Sequence, residues 1–187
     1  MAVTLRPFRD YDEKDVINLY HFSGTLPATK GTLVKIQGDG WVSSDEIAML
    51  GSVGNSYSNT VSERYGVSAA VTTAGAADSP LGMMLFDVKE TDENGEKLVF
   101  NPRKAAEMDI VLSGQAVPLV SRGVFLYSGT QLASDAAGTG FSAGQNLYAG
   151  ANGEIITGNP SSANTKVGRA LGAKDSDGVV LIHLDIS

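Results

Sequence analysis

The sequence predicts an all-β protein with minor α content, an antiparallel β-barrel or β-sandwich with an extended N-terminal arm and one short helix. Three observations predict it. Short apolar runs recur along the chain, and several alternate with polar residues as half-buried strands do. Glycine occupies 22 of 187 positions and is scattered between those runs without a period, which marks turns and bulges rather than a collagen repeat. Strands and helices do not alternate, so a parallel sheet wrapped by helices is disfavoured.

Residues 1–15 read as the arm. Leu5, Phe8 and Tyr11 offer apolar anchors, Arg6 and Arg9 carry charge, and Pro7 breaks any helix. The segment suits either a first edge strand or an arm lying on a neighbouring subunit, since a terminus is ordered only when something ties it down. Residues 16–187 form the β-rich domain, divisible near residue 110 into two packed β subdomains. Its first strands are expected at Val16–Phe22 and Gly31–Ile36, with a turn at Gly38-Asp39-Gly40 and extended chain resuming at Trp41-Val42. A short helical turn is expected from Ser43 to Met49, a loop from Gly51 to Asn59 and a strand at Tyr65–Thr72.

Gly82–Glu90 reads as a strong strand, turned at Asn94-Gly95 into Lys97–Phe100, because a tight turn needs a positive φ that Asn and Gly tolerate. The one helix is expected at Asn101–Met108, with Asn101 as N-cap and Pro102 in the first helical position. It would cross one end of a barrel. From Ile110 onward short strands follow at Ile110–Leu112, Ala116–Val120, Gly123–Tyr127, Asn146–Tyr148, Glu154–Ile156, Lys166–Leu171 and Gly178–Leu184. Turns separate them, as in a sandwich or barrel.

Composition narrows the function. The net charge is -7, and such a chain repels nucleic-acid phosphates unless basic residues cluster. The nearest clusters are the pairs Arg6 with Arg9 and Arg103 with Lys104, so no nucleic-acid partner is expected. No apolar run is long enough to span a bilayer, and no membrane partner is expected. The N-terminal residues lack the apolar stretch of a secretory signal. Cysteine is absent, which removes disulfides, thiolate metal sites and cysteine nucleophiles.

Motifs that could carry chemistry fail on context. Gly140-Phe141-Ser142-Ala143-Gly144 matches the nucleophile-elbow pattern, which needs a strand–turn–helix setting and a histidine base. Here it lies in a small-residue loop, and the only later histidine, His183, sits in an apolar strand. His21 and His183 lack neighbouring carboxylates at metal-ligand spacing. Asp92-Glu93-Asn94-Gly95 and Asp175-Ser176-Asp177-Gly178 resemble the start of a calcium loop without its distal Glu, and turn chemistry explains both. Asp10, Asp12, Glu13 and Asp15 form an acidic run, which reads as a solvated stretch or as a contact for basic residues of a partner. No catalytic residue, metal or cofactor is expected, and the chain is read as no enzyme.

The segment Gly-Gln-Ala-Val-Pro-Leu-Val-Ser-Arg-Gly-Val-Phe-Leu-Tyr (114–127), a Gly-rich loop, and then Lys-Val-Gly-Arg-Ala-Leu through the Asp-Gly turn to Val-Val-Leu-Ile-His-Leu (166–184) resemble small bacteriophage capsid decoration, or cement, proteins. Pro80 to Gly114 also looks like phage virion protein. The resemblance implies a homotrimer on the outer capsid surface, assembled in the host cytoplasm. It would bind the major capsid protein, bridge shell subunits and stabilise the head against internal DNA pressure. Leu5, Arg6, Phe8, Arg9 and Tyr11 are the expected capsid or inter-subunit contacts. The alternatives are another virion component, such as a head fibre base or tail protein, and a carbohydrate-binding β-sandwich with an exposed aromatic platform.

Overall fold

The computed structural model describes residues 3–8, 15–41, 69–133, 140–158 and 163–186. The strands in these segments are β1 (Thr4–Pro7), β2 (Val16–Ile17), β3 (His21–Phe22), β4 (Leu33–Gln37), β5 (Ala70–Thr73), β6 (Gly82–Met84), β7 (Asp87–Val88), β8 (Ile110–Val111), β9 (Leu119–Val120), β10 (Arg122–Ser128), β11 (Leu132–Ala133), β12 (Asn146–Ala149), β13 (Ile155–Ile156), β14 (Lys166–Ala170) and β15 (Val180–Asp185). Helix α1 (Pro102–Glu107) lies between β7 and β8. The expected helical turn at Ser43–Met49 and the loop Gly51–Asn59 lie outside the described residues.

Two sheets carry the architecture, and the all-β expectation holds. A seven-stranded sheet runs β1-β10-β15-β14-β12-β13-β11, and a six-stranded sheet runs β2-β9-β6-β4-β5-β3. The sheets curl into a half-barrel. An antiparallel bridge between His21 and Ala116, with the Val117 N–H donating to the Tyr20 carbonyl at 2.8 Å, ties β3 at one end of the smaller sheet back toward β9. A curled sheet leaves less unpaired edge exposed.

The smaller sheet is apolar on both faces, which explains its unbroken hydrophobic runs. Leu33, Met83 and Val120 face each other across β4, β6 and β9. All three join the core beneath the seven-stranded sheet, with Phe125, Tyr127, Leu147, Val167 and Ile182. Their chain neighbours Val34, Met84 and Leu119 turn the other way, into a second core with Tyr20, Phe22, Val71, Val88 and Val117. The first core draws on residues from both sides of position 110. A satellite cluster of Leu98, Ala105, Ile110 and Leu112 seats α1.

The structure departs from the sequence reading in six places. Gly82–Glu90 is not one strand: it bends at Leu85-Phe86, and Asp87–Val88 joins β8 in a separate pair. The Leu85 N–H donates to the Pro118 carbonyl at 3.1 Å, and Asp87 accepts from the Lys30 N–H at 2.8 Å, so distant partners set the bend. The Asn94-Gly95 turn forms, but beyond the bridge at Thr91 and Lys97 the return segment Leu98–Phe100 is a 3₁₀ turn. Val16–Phe22 is interrupted between Ile17 and His21. Leu132–Ala133, expected among the turns between strands, pairs with β13. The pairs β3 with β5, β7 with β8, and β11 with β13 are parallel, not antiparallel. Pro102 opens α1 as expected, while the Asn101 side chain makes no capping bond.

Candidate docking surface

Three of the five expected contact residues are described; Arg9 and Tyr11 lie outside the described residues. β1 is an edge strand of the chain's own seven-stranded sheet, with Leu5 opposite Tyr127 and Arg6 opposite Leu126 on β10. Successive side chains of a strand point to opposite faces. Leu5 therefore packs against the chain's own core, whereas Arg6 points out. The Phe8 N–H continues the ladder to the Val124 carbonyl at 2.8 Å, and Phe8 is 56% exposed.

The outer face of this sheet is built by the same alternation. Phe125 and Tyr127 of β10 and Val180, Ile182 and Leu184 of β15 fill the core. Their neighbours Val124, Leu126, Leu181 and His183 are only half-buried, on the other face. Cross-strand register sets them in two rows. One row runs Arg6, Leu126, Leu181, and on to Leu171, whose N–H donates to the Leu181 carbonyl. The other runs Phe8, Val124, His183, Arg169 and Asn146. Leu171 is 45% exposed. The face thus combines an apolar stripe of Phe8, Val124, Leu126, Leu181 and Leu171 with a polar margin, the anatomy of a protein contact surface.

Its charge is opposite to that of the chain. The seven strands contain four cationic residues, Arg6, Arg122, Lys166 and Arg169, and one carboxylate, Asp185. Arg122 pairs with Asp185 at 3.6 Å. The remaining three have no ion-pair partner among the described residues. By contrast, the basic pair noted in the sequence is neutralised locally: Arg103 bonds Glu107 at 3.0 Å and Lys104 bonds Asp92.

A shallow depression of about 250 Å³ interrupts the face, lined by Lys166, Gly168, Arg169, His183 and Asp185. Gly168 lets β14 approach β15 closely: a Cβ there would collide with the His183 carbonyl. In the segment Val167-Gly168-Arg169-Ala170-Leu171, Val167 and Ala170 enter the core, Gly168 supplies the close approach, and Arg169 and Leu171 remain on the outer face. Period-two alternation in β10 and β15 was the signal that could have found this face from sequence.

Among the described residues, the other candidates do not assemble a reactive centre. The Ser142 N–H donates to the Gln145 side chain at 3.1 Å, and its turn leads into β12 rather than a helix. His183 lies beside Arg169. His21 is buried, its ring Nδ1 3.0 Å from the Ala69 carbonyl. Asp92 and Asp175 each accept two N–H groups of their own turns. Among the described residues, no three His, Asp or Glu side chains gather as a metal set. A wider cleft of about 660 Å³ is lined by threonines at 25, 29, 32, 72, 73 and 130 and no described charged residue. Among its described lining residues the one aromatic, Phe22, is 2% exposed, and these residues form no platform of the kind a carbohydrate site needs.

Residues 105–185 match the family model described as phage cement protein. The match begins inside α1 and takes in every strand of the seven-stranded sheet except β1. It bears out the resemblance read from the sequence. No curated protein matches the chain.

Proposed function

We propose that this chain is a structural virion protein that adheres to the outer surface of a phage capsid, bridges major capsid subunits and stabilises the head against internal DNA pressure. The observation that carries the reading is the cement-family match over 105–185. It coincides with the sheet whose outer face is apolar at its centre and cationic at its margin. A contact of this kind acts through area, shape fit and many weak interactions, and needs no reactive group. On this reading Arg6 and Phe8 contribute from β1, Leu5 serves by anchoring that strand, and Arg9 and Tyr11 extend the contact. The oligomer would be a homotrimer, assembled in the host cytoplasm, with neither nucleic acid nor membrane as partner.

Copy number in purified virions separates this role from the alternatives. Quantitative mass spectrometry against the major capsid protein is expected to give hundreds of copies per particle. A handful of copies, confined to tail fractions, would assign the chain to a fibre or tail component instead. Sedimentation of the free protein reads the oligomeric state: a trimer's mass is expected, and a monomer at all concentrations would remove the homotrimer.

A further inference from the structure

We infer that the Gly168 depression is a receptor for a carboxylate side chain projecting from the shell protein, and that the outer face of the seven-stranded sheet is the side turned toward the capsid. The inference deepens the capsid-binding reading and rests on it.

Three observations converge on this face. First, the strands place four cations against one carboxylate on a chain whose net charge is -7, so the face complements an acidic partner and the remaining surface does not. Second, the depression is lined by Lys166, Arg169 and His183, with Gly168 drawing β14 against β15, and its one carboxylate, Asp185, is engaged by Arg122 at 3.6 Å. An arginine beside such a recess can take a carboxylate through two parallel N–H bonds, which fixes position as well as affinity. Third, the apolar stripe from Phe8 to Leu171 runs past the depression. Burying it excludes water from the ion pair and strengthens the attraction. A phosphate would also fit the cations. A polyanion, however, would leave the stripe unburied and meet the net negative charge of the rest of the molecule. A protein surface with a protruding Asp or Glu satisfies both components.

The test measures binding to empty shells assembled from the phage's own capsid protein without this chain, by co-sedimentation at several salt concentrations. Arg6→Glu with Arg169→Glu, and separately the milder Arg169→Gln, are compared with a control bearing Lys97→Glu and Arg103→Glu, which changes net charge equally elsewhere. Melting curves confirm folding, and Arg169→Gln stands in if the double variant does not fold. The face variants are expected to bind about tenfold or more weakly, with a shallower salt dependence. The control is expected to stay within about twofold, as for charges outside a contact. Wild-type binding with undiminished face variants would overturn the inference and leave the capsid reading standing. Failure of the wild type to bind shells would overturn both. Retention of DNA, or self-association, abolished by the same face substitutions would reassign the face to that occupant.

Discussion

At the scale of single residues, the contact between Gly31 and Tyr127 gives two substitutions of opposite sign. Tyr127 is fully buried on β10, and its hydroxyl has no hydrogen-bond partner among the described residues. Burial pushes its phenol well above the usual tyrosine range. An unsatisfied buried hydroxyl costs about 1–3 kcal/mol, so Tyr127→Phe is expected to melt at or above the wild-type temperature. Gly31 packs directly on that ring with φ at +88°, and a Cβ there would overlap it. Gly31→Ala meets both a backbone penalty and a collision, and should cost about 1–3 kcal/mol. Urea unfolding of the two variants checks the pair. A marked loss in Tyr127→Phe would mean that the hydroxyl is bonded after all.

At the scale of elements, two ion pairs tie loops to ordered structure and set the acid limb of stability. Asp92 heads the Asn94-Gly95 turn. Its bond to Lys104 of α1 and the N–H groups of Glu96 and Asn94 hold its carboxyl below the usual range. Lys35 of β4, 2.8 Å away, and the Gly75 N–H do the same for Asp78. Both folded carboxyls titrate below their unfolded value. Their contribution is therefore complete above about pH 4 and is lost as pH falls through the lower folded values. Lys104 is shifted up by the same pair, so its share is present below about pH 10 and is lost as pH rises through the folded value. Asp92→Asn should flatten the fall in melting temperature below about pH 4. An unchanged acid slope would remove the Asp92–Lys104 bond as a stabilising tie.

Legibility from sequence followed how local each cause was. The Asn94-Gly95 turn, the Pro102 helix start and the strands β10 and β15 are legible, because turn chemistry, a fixed proline φ and alternation act within a few residues. The bend at Leu85-Phe86 is not, since its bonds come from Pro118 and Lys30. Nor is the parallel pairing of Leu132–Ala133, whose partner Ile155–Ile156 follows β12 in the chain. Arg6 and Phe8 stand out in the sequence as charged and aromatic arm residues, but the register of β1 on β10 that unites them does not. Arg169 and Lys166 are not legible as partners of Arg6, because strand pairing through β10 and β15, and not sequence proximity, sets β14 in the same sheet.

At the scale of the whole molecule, adhesion to a shell and stabilisation of a shell are different properties. A protein can coat a capsid through one face without joining two subunits. A stable contact needs roughly 800 Å² on each partner, and bridging requires that a single chain or its oligomer divide such contacts between neighbours. The outer face of the seven-stranded sheet is a single side of the molecule, so on the proposed reading its stripe and cations must reach across a subunit boundary. That requirement has a measurable signature. Because the protein would bind the intact lattice and not separated subunits, each bound copy shifts the equilibrium toward the intact shell by mass action. DNA-filled heads saturated with the wild type are then expected to release DNA at a higher temperature than bare heads, with the shift growing as occupancy approaches saturation. Dye-accessible DNA measured against temperature at graded occupancy reads this directly. Full occupancy with no rise in release temperature would leave an adhesive coat protein and remove the bridging role.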